Sequence, residues 1–388
     1  MVFFPTRGGG PVRLGPTVPQ LEGHEPTTLS ADVYRDPPRY ELERRHVLGA
    51  RWLLAGRSEQ IAEAGSWLTY EGHGETIVFS RQRDGSVSAF HNVCAHRGAA
   101  IVTGLAGCGA RRFTCPYHGW VYDTRGSVVG VPDRDDFDPD ELASAGAVAV
   151  AVAEWGGWVW INLLGPSAAP PLLDAIGEDI VGELARWRLE DMVLHDVVEY
   201  DVPVNYKAIV DGFNEVYHVT HLHHVPPEVS SAFRRATSHA VGENFMCFIP
   251  RAQSLDELAE SLDHFLYGIS HHIVFPNTIF NCNPDHIMVF QPIPIAVDRT
   301  RFKVWQLIHP GDLADSGYKA YHASMMDHWE RLRGVVGEDV AAYEQLARTR
   351  QSSAHTRHIL SVREWRIARY HQTMERLIQN ESPPATRR

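Results

Sequence analysis

At 388 residues, with 44% hydrophobic and 22% charged side chains, the chain has the composition of a folded globular protein. It exceeds the size at which one hydrophobic core stops growing, so two domains are expected. The net charge of -12 and the lack of a basic block exclude nucleic acid as a partner. No apolar run reaches the ~18 residues of a membrane span, and five cysteines without disulfide spacing point to a reducing, cytoplasmic setting.

Residues 1–33 are rich in Gly and Pro and lack the basic-then-apolar order of a signal peptide, so they read as a flexible lead-in. A short helix after Pro37-Pro38 runs into a strand over 40–54. Strand signals follow over 66–71, 76–81 and 86–92, separated by turns such as Arg83-Asp84-Gly85, which predicts an antiparallel β region.

Within that region lies Cys94-Ala-His96, then eighteen residues, then Cys115-Pro-Tyr-His118. Two Cys-plus-His pairs on two loops can hold a [2Fe-2S] cluster, with thiolates on one iron and imidazoles on the other. The alternative is a structural zinc ion, which the same four residue types also satisfy, although zinc pairs normally run Cys with Cys and His with His. Cys108 fits neither pair and reads as a hairpin residue.

Strands are predicted over 147–153 and 157–163, and the Pro/Ala/Ser-rich stretch 165–171 marks a domain boundary. Apolar steps of three and four predict a helix over 172–187, and 199–204 is strand-like.

The segment from Asn205 to His223 carries the next concentration of chemistry. Glu215 and His218, three apart, share one face if helical, and Asp211, one turn earlier, is placed to support Glu215. His218 and His223 are five apart, so their convergence needs a bulge or a helix end between them. Two histidines and a carboxylate with open positions select non-heme ferrous iron. His221 and His224 compete as ligands but read as neighbours that orient or as surface residues. Pro226-Pro227 closes the segment.

Downstream, strands are predicted over 271–274, 278–281, 286–292 and 301–308, helices over 319–330, 338–350 and 362–379, and a disordered tail over 381–388. The stripe Ile367, Tyr370, Met374, Leu377 on the last helix reads as packing.

Phe90 to Gly98 and Cys115 to Asp123 resemble the two cluster-binding loops of the Rieske non-heme iron oxygenases, the catalytic subunits of ring-hydroxylating and demethylating systems. The resemblance runs from about Tyr34 to Gln379 and is most specific in those loops and the Asn205 segment. It implies an α+β chain, with an all-β Rieske [2Fe-2S] domain over 34–165 and a catalytic domain over 166–380 built on a large antiparallel sheet with flanking helices.

On that likeness Cys94, His96, Cys115 and His118 hold the cluster, and His218, His223 and Asp339 hold a mononuclear Fe(II), with Asp327 the competitor of Asp339. Glu215 is the acid that bridges to a cluster histidine, His118, of a neighbouring subunit. Tyr206 and Gly212 stand where the family commonly has Trp and Asn, Ala347 where it has Gln, and Glu215 where many ring dioxygenases carry Asp. The implied partners are a ferredoxin or NAD(P)H-dependent reductase, O2, a small-molecule substrate, and other copies of the chain in a homotrimer, with or without a small β subunit. The expected reaction is hydroxylation of an apolar aromatic. The alternatives are demethylation of an N- or O-methyl compound, or a cluster-bearing electron carrier with no substrate chemistry.

Overall fold

The computed structural model describes residues 24–224, 232–234, 236–250, 268–283 and 285–379. Two compact units divide the chain: Leu48–Ala175, and a second made of the segments through Val47 and from Ile176 onward. The expectations for the first 23 residues, for Pro226-Pro227 and for the tail over 381–388 lie outside the described residues. Among the described residues no helix is long and apolar enough to cross a membrane.

The Leu48–Ala175 unit is a seven-stranded antiparallel sheet in the order Leu53–Arg57, Trp158–Asn162, Ala149–Trp155, Val87–His91, Glu75–Arg81, Trp67–Gly72, Ala106–Gly107. A three-stranded sheet of Arg112–Thr114, Val121–Asp123 and Val128–Gly130 completes it. One buried cluster joins the two loops to the strands: Cys94, Cys115, Phe90, Phe113, Trp120 and Tyr122 pack together. Burying both cysteines within this apolar cluster fixes the loops that carry them.

The second unit is built on another seven-stranded antiparallel sheet, in the order Val193–Val202, Arg299–Ile308, His286–Ala296, Thr278–Cys282, Gly268–Val274, Asn244–Pro250, Thr237–Val241. Strands Thr237–Val241 and Asn244–Pro250 were not expected. The first is mostly polar and the second a continuous apolar run, so neither shows the alternation by which a half-buried strand is read. Part of the expected lead-in is ordered, because Thr27–Ser30 pairs antiparallel with Arg357–Leu360.

Helix Pro37–His46, expected to go with the Rieske domain, belongs to the second unit. Two ionic contacts hold it there. Arg39 pairs with Glu375 at 2.6 Å, and Glu43 pairs with Lys207 where both side chains are fully buried. Burial depresses the Lys207 pKa against the opposing pull of Glu43, and removal of either partner would strand a charge in the core. The boundary between the units falls at residue 175, a few residues past the stretch at 165–171.

Two helices differ in extent from expectation. The one over 172–187 is broken into Leu172–Ile176 and Glu178–Ala185 by Gly177, whose φ of 90° is left-handed. The two over 319–330 and 338–350 are one continuous helix, Ser316–Thr349. Its buried residues Tyr318, Met325, Trp329, Val336 and Tyr343 recur at sevens and fours straight through Gly334 and Gly337, so one packed stripe carries the helix across both glycines.

Candidate functional site

The two Cys/His loops repeat one backbone design. In each, the cysteine N–H donates to the carbonyl five residues on (Cys94 to Ala99, 2.8 Å; Cys115 to Trp120, 2.8 Å), and a glycine four residues on donates back to the cysteine carbonyl. Those glycines, Gly98 and Gly119, have φ of 73° and 75°, a conformation glycine adopts without strain. The result is two matching hooks. The Tyr122 hydroxyl donates to Cys94 Sγ at 3.1 Å while accepting from the Ala95 N–H. His96 stacks on Trp120, its ring 4.5 Å from that of His118, and its buried Nδ1 has no hydrogen-bond partner. Desolvation and the neighbouring His96 and Arg97 hold His118 below its usual pKa, which keeps a lone pair available.

These donors suit a cluster better than a single ion. Among the described residues, the only group with three donor atoms within 4.8 Å of one another lies elsewhere, in the other unit. Ligands of one tetrahedral zinc must approach to about 4 Å of each other. Two buried thiols, a partnerless imidazole nitrogen and a more open spacing fit a two-iron cluster instead.

The compact group is His218, His223 and Asp339. The helix begun by the Asn205 cap stops at Phe213, and a second, short helix, Val219–Leu222, starts after His218. His218 and His223 are the two caps of that short helix, so the helix ends fall at the histidines themselves, and Glu215 sits between the helices rather than on a shared helical face. His223 then falls at the end of the short helix, which turns both imidazoles toward the long helix carrying Asp339. Asp339 Oδ1 lies 3.3 Å from His223 Nε2 and 3.8 Å from His218 Nε2.

Each histidine is held from behind by a carboxylate. His218 Nδ1 meets Glu215, whose other oxygen accepts from the Tyr217 and His218 backbone N–H groups. His223 Nδ1 meets Glu338 at 2.8 Å. Burial alone would lower the His223 pKa, but Asp339 and Glu338 outweigh it and raise the value. With each Nδ1 held, both Nε2 atoms face Asp339, a donor set with the composition of a two-histidine, one-carboxylate iron site.

Asp211 is engaged away from Glu215. Its Oδ2 accepts from Tyr34 (2.5 Å) and lies 2.8 Å from His371 Nε2, and no bond to Glu215 occurs among the described residues. The reason is that the helix ends at Phe213, so the one-turn spacing no longer applies. His221, His224 and Asp327 are exposed and outside the donor set.

Glu338, Tyr34 and His371 were missed by sequence reasoning. Glu338 had a signal, as the immediate neighbour of Asp339; the other two are brought in only by tertiary packing. Gly212 has a steric explanation, since a Cβ there would lie 2.5 Å from the Tyr343 hydroxyl.

The donor set stands between two hollows of this unit. One, of about 280 Å³, is mainly apolar, with Phe213, Ile249, Met288, Phe290 and Leu332 in its wall. The other, of about 440 Å³, is lined by Tyr34, Asp211, Arg350 and His358. Glu215, His218, Asp339 and Tyr343 line both.

Comparison with known proteins agrees with this division. Residues 51–149 match the Rieske [2Fe-2S] domain model, and residues 189–380 match the model for the ring hydroxylating alpha subunit catalytic domain. The alpha subunit of biphenyl dioxygenase from Metapseudomonas furukawaii is 32% identical over 231 residues, covering 54% of this chain and 49% of that protein. The oxygenase subunit of carnitine monooxygenase from Escherichia coli (strain K12) is 32% identical over 196 residues, covering 50% and 51%. The chain thus spans about half the length of the curated relatives it matches.

Among solved structures, a quaternary ammonium Rieske monooxygenase in complex with gamma-butyrobetaine aligns with a TM-score of 0.76 at 20% identity, covering 95% of this chain and all of that one (100%). Naphthalene 1,2-dioxygenase from Rhodococcus sp. bound to indole aligns at 0.70 and 18%, covering 92% and 95%. At these identities the likeness shows a shared fold.

Proposed function

Since the chain belongs to the Rieske oxygenases, joining a Rieske [2Fe-2S] domain to a ring-hydroxylating alpha-subunit catalytic domain, we propose that it is a terminal oxygenase component acting on a small molecule with an apolar body. The observation that carries this reading is the convergence of His218, His223 and Asp339 at the wall of a mainly apolar cavity. When bound, the iron centres supply single-electron transfer and dioxygen activation. Cys94, His96, Cys115 and His118 are the proposed holders of the cluster, and His218, His223 and Asp339 of the mononuclear ferrous ion.

The protein's part is positional. Glu215 and Glu338 fix the two imidazoles with Nε2 inward. Phe213, Met288 and Phe290 exclude water and seat the apolar part of the substrate. Glu215 also lines the second hollow, which supports a role beyond holding His218. We assign to it the bridging role between protomers, in a ring of copies, most simply a homotrimer. Electrons come from a ferredoxin or an NAD(P)H-dependent reductase.

In the net reaction, O2 takes two electrons and two protons. Both oxygen atoms enter an aromatic ring as a cis-diol, or one enters a C–H bond and the other leaves as water. Oxidation at an N- or O-methyl group is the second reading. The match to a carnitine monooxygenase subunit, at the same identity as the match to the biphenyl dioxygenase subunit, keeps a monooxygenase reading beside the first.

Iron content and isotope incorporation test the assignment. About three irons per chain and 18O transfer from O2 into product, across a panel of aromatic and methylated compounds, are expected. About two irons and no incorporation would instead mark an electron carrier.

A further inference from the structure

We propose that Arg366 and His271, buried in the wall of the cavity onto which Glu215, His218 and Asp339 open, form a subsite for a carboxylate-bearing substrate. Arg366 takes the carboxylate, and His271 accepts a hydrogen bond from an O–H or N–H of the same molecule. What happens to that molecule rests on the oxygenase reading; that it binds does not.

Arg366 is 4% exposed on helix Trp365–Gln379 and lines the cavity. Its Nη1 is buried without a hydrogen-bond partner, and no carboxylate pairs with the guanidinium among the described residues. An isolated buried charge is costly and is normally paired. The acids that share the cavity are engaged elsewhere: Glu215 with His218 and the Tyr217 N–H, Asp339 with the two histidines. The missing counter-charge is therefore supplied by what enters the cavity. Arginine's planar fork matches a carboxylate in particular.

His271 is 6% exposed, lines the same cavity, and its Nε2 has no partner. Its other ring nitrogen is used by the Phe213 carbonyl, while burial first, then Arg366 and His272, push its pKa down to about 3. It is thus a neutral imidazole whose free nitrogen is an acceptor. A cationic guanidinium beside a neutral acceptor, in a mainly apolar wall whose two acids are already engaged, disfavours both a plain hydrocarbon and a cation lacking an acid group. It suits a hydroxy- or amino-substituted carboxylate.

Calorimetric titration of the metal-loaded protein with benzoate, hexanoate, the amides of both, and the three hydroxybenzoates tests this. Each acid is expected to bind at least about tenfold more tightly than its amide, as a charge-assisted bond implies. R366M should erase that ratio while leaving the melting temperature unchanged or higher, because it removes an unpaired buried charge. H271F should erase the advantage of the best hydroxybenzoate over benzoate and leave benzoate itself unaffected.

Equal binding of acids and amides, or binding of no acid, would overturn the proposal. So would a fall in melting temperature in R366M that R366K restores without change in the acid-to-amide ratio, since that marks a structural arginine. Iron content on the same preparations separates the two claims. About three irons without acid preference removes only the subsite, whereas acid preference in a chain with only the cluster irons removes only the oxygenase reading.

Discussion

Glu338 Oε2 lies 2.8 Å from His223 Nδ1, so the residue immediately before the Asp339 carboxylate clamps the histidine that faces it. One turn of helix therefore supplies both a donor and the group that aims a second donor. Removing such a support typically costs 10- to 100-fold in metal affinity, roughly. Glu338→Ala is expected to lose iron to a chelator at concentrations about that much lower than wild type needs, with the cluster's absorption unchanged. Equal retention would show that the contact does not orient His223.

Glu215 carries a different burden, because its side chain lines both hollows as well as holding His218. Glu215→Gln keeps the size and a hydrogen-bonding group but loses the charge. The rate of coupled product formation should fall at least about tenfold, a loss of more than about 1.4 kcal/mol in transition-state stabilisation, with both metal centres still occupied by spectroscopy. A normal rate of coupled turnover in the variant would exclude Glu215 from the electron path.

How much of this was legible in sequence depends on range. The Cys94/His96 and Cys115/His118 hooks are local, each closed by hydrogen bonds within six residues, and their pattern could be read directly. His218 and His223 likewise sit on one short stretch, and the need for an irregularity between helical turns followed from their spacing. Asp339 was reached only through likeness to a family. The long helix that carries it was read as two, because Gly334 and Gly337 are weak helix formers whose cost is overridden by the buried stripe from Tyr318 to Tyr343. Asp211 was misdirected toward Glu215 because its true partners, Tyr34 and His371, lie far away in sequence. Arg366 and His271 carried no signal at all, since a partnerless buried atom is a property of packing alone.

Gly212 shows the same dependence on packing in a form that can be measured. A Cβ there would stand 2.5 Å from the Tyr343 hydroxyl but 3.6 Å from the ring carbon behind it. Gly212→Ala should therefore destabilise the protein by about 1–3 kcal/mol, as overpacking does. Adding Tyr343→Phe removes the clashing oxygen and leaves an ordinary contact, so most of the loss should be recovered. Denaturant midpoints of the two single variants and the double variant give the coupling, and additive effects would mean that the backbone shifts instead.

His271 makes the stability of the chain depend on pH with a definite sign. Unfolded, its imidazole titrates near 6.5; folded, burial, Arg366 and His272 push it to about 3. Below 6.5 the unfolded chain binds a proton that the folded chain refuses, so stability contributed by the neutral ring is present above that value and is lost as the pH falls toward 3. At pH 5 the loss from this group alone is about 2 kcal/mol, taking ~1.4 kcal/mol per pH unit below 6.5. Other groups titrate over the same range, so the measurement is the difference between wild type and His271→Phe. The variant, which has no proton to refuse, should lose about 2 kcal/mol less than wild type between pH 7.5 and pH 5. Parallel profiles would mean that the ring gains a proton in the folded state, which would also remove the neutral acceptor from the cavity wall.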